Sequence, residues 1–181
     1  MQHSATDSIL IHDRTFLRLI QHSAIQKKVR GLAEQINSDY KDRNIFFVAI
    51  LNGSFMFAAD LLKNIQIECR ISFVKLASYK GTRSTGQLKA IFGLEESVFG
   101  QHVIIIEDIV DTGLTLTKMI EDLKSLGAQS IDTVSLLRKK PAREKGPEVK
   151  YVGFELEQEF VVGYGLDYDG LGRNLSDIYH T

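Results

Sequence analysis

The chain has 181 residues, 44% of them hydrophobic and 25% charged, with a formal net charge of -1. That length and composition fit one domain around a single core, and the balanced charge gives no footing for a general polyanion binder, the best basic cluster being only Arg138-Lys139-Lys140. A single cysteine, Cys69, excludes an internal disulfide and reads as a buried, inert thiol, and no apolar run approaches the ~18 residues of a membrane helix.

The first residues, 1–7, are polar and lack the apolar centre of a signal peptide, so the expected compartment is the cytoplasm. The first strong element is a helix over residues 24–39. Ser23 and Gln26 have the spacing of a capping box, and Ile25, Val29, Leu32 and Ile36 form one apolar stripe. Residues 46–51 are a continuous apolar run of strand length, followed by a short helix over 55–63 and a β-rich run over 70–78. Residues 103–106 are almost all β-branched and read as a fully buried strand. An acidic turn then leads into a helix over 114–126, with Leu116, Met119, Ile120, Leu123 and Leu126 facing the core and Gly127 as its stop. Strands follow over 131–137 and 151–155. The polar stretch 139–150, which holds both prolines, reads as a surface loop between them. Apolar strands alternating with helices predict an α/β fold with a mainly parallel sheet flanked by helices. Ligands of such sheets bind beyond the carboxyl ends of the strands.

One segment at such an end carries most of the chemistry. Glu107 and Asp108 follow the buried strand directly, and Asp111 comes next. Thr112, Gly113, Leu114 and Thr115 then open a helix. Turn amides and a helix N-terminus make an anion site, and the two threonines add hydroxyl donors. Acids beside a phosphate repel it unless they hold sugar hydroxyls or a hard cation, so the pattern points to a sugar phosphate with a metal. The Walker lysine is absent, which excludes a P-loop. The plain alternative is three acids that end a strand and cap a helix.

Four other segments lie on the same side. Leu51-Asn52-Gly53-Ser54 joins a strand to a helix and is either a second anion site or a simple turn. Residues 78–88 are polar with two glycines, a surface loop by composition and a lid by position. Lys139 follows a buried strand, where a solvated basic loop is the ordinary reading. Residues 159–169 hold Gly163-Tyr164-Gly165, which lacks the third glycine of a dinucleotide fingerprint.

The acidic segment resembles the phosphoribosyl pyrophosphate signature of the type I phosphoribosyltransferases. Within that fold the chain resembles the hypoxanthine-guanine phosphoribosyltransferases over about residues 9–178. The resemblance implies the family's parallel sheet with a small hood from about 1–22 and 157–181. It implies that Glu107 and Asp108 hold the ribose hydroxyls, partly through Mg²⁺, and that Asp111 to Thr115 hold the 5-phosphate. Asp111 is then the catalytic base beside N7 of the purine, a role that suits a carboxylate crowded by phosphate and other acids. Leu51, Asn52 and Gly53 become the pyrophosphate loop, with a non-proline cis peptide at Leu51-Asn52. Asn52 stands where the family commonly has lysine. Ser78 and Tyr79 match the pair that closes over pyrophosphate and excludes water, and Arg173 matches an arginine that contacts it. Lys139 donates to the purine O6, selecting 6-oxo over 6-amino bases. Phe160 stacks on the base, main-chain groups around Val161 meet its edge, and Asp167 holds a second Mg²⁺.

The implied reaction displaces pyrophosphate from C1′ of phosphoribosyl pyrophosphate by a 6-oxopurine, hypoxanthine first, with inversion. The implied partners are those two substrates, with neither nucleic acid nor membrane, in a homodimer or homotetramer. Two alternatives stay open on sequence: a xanthine- or guanine-preferring enzyme, and a non-catalytic sensor of phosphoribosyl pyrophosphate that binds nucleic acid.

Overall fold

A computed structural model describes residues 7–76, 91–92, 94 and 96–181. The expected lid, 78–88, with Ser78 and Tyr79, lies outside the described residues. In chain order the elements are β1 (Ser8–Ile11), β2 (Arg14–Ile20), α1 (His22–Asp39), β3 (Ile45–Leu51), α2 (Phe55–Leu62), β4 (Cys69–Leu76), β5 (Ile91–Phe92), β6 (His102–Val110), α3 (Leu114–Ser125), β7 (Ser130–Lys139), α4 (Lys140–Lys145), β8 (Tyr151–Leu156), β9 (Val161–Val162) and β10 (Ile178–His180).

The main sheet runs β5-β4-β3-β6-β7-β8, and the five strands from β4 to β8 are parallel. Continuous apolar strands follow from burial on both faces. In β3, Ile45, Phe47 and Ala49 pack with Ile25, Val29, Leu32 and Ile36 of α1 and Phe57 and Leu61 of α2. Phe46, Val48 and Ile50 point the other way, to Leu116, Met119 and Leu123 of α3 and Ala142 of α4. From β3 the chain winds outward one way to β4, and from β6 the other way to β7. The order therefore reverses between β3 and β6, which part beyond Ala49↔Ile106 and leave a crevice at their carboxyl ends.

A second, antiparallel sheet, β1-β2-β10-β9, joins the two ends of the chain around Ile11, Phe16, Val162 and Tyr179.

Three local expectations need correction. Helix α1 starts at His22, two residues early, with Gln21 as a cap that makes no side-chain bond. The capping box does not form because the helix already runs through Ser23 and the Gln26 side chain is engaged elsewhere. The Asp177 carboxylate accepts the His22 N–H at 2.7 Å, a negative charge on the positive end of the helix. The Gln26 amide instead donates to Asp60 of α2. The acidic turn after residue 106 is strand up to Val110, because β7 continues to pair with β6 as far as Val110↔Arg138. The stretch 139–150 contains α4, where Pro141 sits in the first turn, the one place in a helix that needs no N–H. Cys69 is half-buried, and burial pushes its thiol pKa up, as an inert thiol requires.

Asp60 also accepts the hydroxyl of the buried Tyr164 at 2.7 Å and the Lys63 ammonium at 2.9 Å. This ties the 163–165 turn to α1 and α2. Tyr164→Phe removes one charge-assisted bond worth about 1.5–3 kcal/mol. A thermal melt of that variant should show Tm lower by roughly 5 °C, and an unchanged Tm would show the bond to be dispensable.

Candidate active site

The crevice between β3 and β6 collects most of the sequence-predicted residues. On one wall, the Leu51-Asn52 peptide is cis, as the resemblance implied. Ser54 is buried, and its hydroxyl donates to the Ile50 carbonyl, which tightens the turn into α2. Gly53 leaves no room for a side chain, since a Cβ there would fall 1.5 Å from Asp108 Oδ2.

The opposite wall is the end of β6. Glu107 is 8% exposed, and its Oε2 is buried with no hydrogen-bond partner. Burial, with the nearby Asp108 charge adding to it, raises its pKa well above the usual carboxylate range. Burial pushes Asp108 up to about 6, against the opposing N–H groups of Ile109 and of its own backbone and the charge of Arg173. A carboxylate such as Glu107, taken out of water with one oxygen lacking a compensating donor, is costly. Such an arrangement is made for a ligand that brings hydroxyls or positive charge. No group of three or more His, Cys, Asp or Glu side chains gathers for a metal among the described residues. Mg²⁺ takes one or two protein carboxylates and completes its shell with substrate oxygens and water. The orphaned Glu107 oxygen is a hard donor of the right type.

Beyond β6, exposed Asp111 and Thr112 lead into α3. Gly113 caps that helix at φ 84°, and a Cβ there would come within 2.6 Å of Pro147. Glu107, Asp111, Thr112, Gly113, Leu114 and Thr115 line one concavity, onto which the first amides of α3 open. Lys139, at the end of β7 with its side chain 13% exposed, reaches Asp111, Nζ to Oδ2 3.2 Å.

The remaining residues lie on the segment after β8. Phe160 is 41% exposed and meets the rings of Phe16 and Tyr168. Its carbonyl accepts the Thr181 N–H at 3.2 Å, and Val161 is buried in β9. The Arg173 guanidinium donates to the Gly165 carbonyl at 2.6 Å and pairs with Asp167, whose other oxygen accepts the Gly170 N–H at 2.7 Å. Sequence reasoning missed the Lys139–Asp111 pair, Tyr168 beside Phe160, and the Tyr164–Asp60 anchor. For Tyr168 a signal existed in the Asp169-Gly170 dipeptide that follows it, a tight-turn marker.

The family profile of the phosphoribosyl transferase domain matches residues 17–169. The chain is 44% identical over 158 residues to the hypoxanthine-guanine phosphoribosyltransferase of Staphylococcus epidermidis, spanning 87% of this chain and 88% of that one. It is 42% identical to part of the bifunctional protein TilS/HprT of Listeria innocua, of which it spans only 24%. A crystal structure of the hypoxanthine phosphoribosyltransferase of Staphylococcus aureus superposes with a TM-score of 0.83 at 42% identity, covering 90% of this chain and 89% of that one. With the profile spanning most of the chain and these relatives at 42–44% identity, the chain belongs to the phosphoribosyltransferase family, among the hypoxanthine-guanine phosphoribosyltransferases.

Proposed function

We propose that this chain is a purine-salvage transferase that moves the 5-phosphoribosyl group of phosphoribosyl pyrophosphate to N9 of hypoxanthine, and of guanine, giving IMP or GMP and pyrophosphate. The observation that carries it is the unpartnered, buried Glu107 oxygen beside Asp108 and the amide-lined mouth of α3. A phosphorylated pentose answers both halves of that site. Glu107 and Asp108 take the ribose hydroxyls and would hold one Mg²⁺, and Asp167 would hold a second. When bound, Mg²⁺ supplies positive charge to the leaving pyrophosphate. Asp111, Thr112, Gly113, Leu114 and Thr115 hold the 5-phosphate. The main chain of Leu51, Asn52 and Gly53, with Arg173, Ser78 and Tyr79, holds pyrophosphate.

At the base, Lys139 donates to O6 and Asp111 takes the proton from N7 as N9 attacks C1′. Their 3.2 Å contact lets one pair read both adjacent atoms of a 6-oxopurine. Val161 meets the base edge and Phe160 its face. The enzyme works in the cytoplasm as a homodimer or homotetramer, with no nucleic-acid or membrane partner. No helix among the described residues is long and apolar enough to cross a membrane. The xanthine-preferring and regulatory alternatives find no support in the names of the relatives.

A coupled assay of hypoxanthine, guanine and xanthine with phosphoribosyl pyrophosphate, with and without Mg²⁺, tests the reading. Product from hypoxanthine only when Mg²⁺ is present supports it; no product from any base overturns it. Phe160→Ala should raise KM for the base by roughly 10–100-fold, since ring stacking on a base contributes about 1–3 kcal/mol. KM for phosphoribosyl pyrophosphate should stay within twofold, which separates lost stacking from general damage.

A further inference from the structure

The Phe160 ring does not stand alone. Phe16, fully buried in β2, lies 6.2 Å away tilted by 44°, and Tyr168 lies 5.9 Å away at 80°, edge to face. Phe16 and Tyr168 are themselves 5.8 Å apart, which closes a triangle of rings. Tyr168 is only half-buried, so burial is a weak restraint on it.

Two turns hold it instead. One is its own. The Tyr168 and Leu171 backbones exchange N–H···O bonds of 2.9 and 3.1 Å around Asp169 and Gly170, both at positive φ, a type I′ turn that rigidly directs its flanking residues. The other is the β1–β2 turn, 155 residues away in sequence. There Asp13 accepts the Tyr168 hydroxyl at 2.9 Å, the Arg14 guanidinium sits 5.2 Å from the ring centre, and the His12 ring meets it edge-on at 5.7 Å. His12 also approaches Asp169 at 3.9 Å.

We propose that Tyr168, anchored by Asp13 and Arg14 of the β1–β2 turn, is a positioning residue that fixes the plane of the Phe160 ring and so sets affinity for the purine base. A stacking ring that is free to tilt must be ordered each time the base binds, whereas a ring braced by a perpendicular neighbour is preorganised. The inference rests on reading Phe160 as the base platform.

The test is steady-state kinetics on the full chain, with each substrate varied in turn. Tyr168→Leu should raise KM for hypoxanthine roughly 2–10-fold, the range of an edge-to-face pair, with little change in kcat or in KM for phosphoribosyl pyrophosphate. Tyr168→Phe and Asp13→Ala break the same bond from opposite ends. Each should give a smaller rise in the same constant, and together no more than either alone. In a Phe160→Ala background, Tyr168→Leu should add nothing.

An unchanged KM for hypoxanthine in Tyr168→Leu overturns the proposal, as does a full additional effect in the Phe160→Ala background. So does a drop in kcat with a parallel rise in both KM values, the mark of a merely structural part. If Tyr168→Leu does not fold, the milder pair decides, and no rise in either variant overturns it. Phe160→Ala with a normal KM for the base removes the platform itself. A raised KM in Phe160→Ala with none in Tyr168→Leu removes only the positioning role.

Discussion

Asp111→Asn should lower turnover by roughly 10²–10⁴-fold, the usual loss when a general acid/base group is removed. The exchange keeps the shape of the side chain, and the amide oxygen still accepts from Lys139, now 3.2 Å away. What disappears is the capacity to take a proton from the purine as its N9 attacks. The Asp111 side chain is 58% exposed and among the described residues bonds only Lys139, so the fold should not suffer and Tm should stay within about 2 °C, as for ordinary surface substitutions. KM for phosphoribosyl pyrophosphate should move far less than kcat. Near-normal turnover would remove Asp111 from the chemistry and leave the N7 proton to another acceptor.

Gly53→Ala should cost about 100-fold in kcat/KM, although it adds one methyl group. The new carbon would fall 1.5 Å from Asp108 Oδ2 and 2.5 Å from its Cγ, so either the loop 51–53 or the Asp108 carboxyl must shift by an ångström or more. A displacement of that size at a reacting group is worth about two orders of magnitude. Asp108 has little freedom to move, since it is partly buried and held by backbone N–H groups. A titration that follows tyrosine fluorescence should show weakened binding of phosphoribosyl pyrophosphate. The chain holds no tryptophan to obscure that signal. Full activity in Gly53→Ala would mean that the loop and the acids are not held in fixed relation.

The main sheet was legible because its strands are buried twice. Runs such as residues 46–51 and 103–106 have no polar face to blur them, and their order with the helices left one architecture. The three acids were legible for a related reason, since charge directly after such a run must emerge at the sheet edge. What failed was local logic overridden at long range. The Ser23–Gln26 box is sound as a pattern, but Asp177 and Asp60 supply better partners from 155 and 34 residues away. Helix α4 is short, polar and proline-bearing, so it carries no periodic signal. Strands β1, β9 and β10 are only two to four residues long, and β1, β2, β9 and β10 gain their core from one another and from distant parts of the main cluster. Likewise the Lys139–Asp111 contact joins the ends of two neighbouring strands, β6 and β7, and only their pairing brings the two residues together.

The placement of β10 sets an order for maturation on the ribosome. It is an inner strand of the second sheet, bonded to β2 on one side and β9 on the other. Until residues 178–180 have emerged, the hairpin β1–β2 has no strand pairing that links it to the segment bearing Phe160. The strand pairing of the parallel sheet uses nothing beyond Leu156 and can form earlier, as N-terminal units do during vectorial synthesis. A nascent chain should therefore acquire its grip on the sugar phosphate before it acquires a seat for the base.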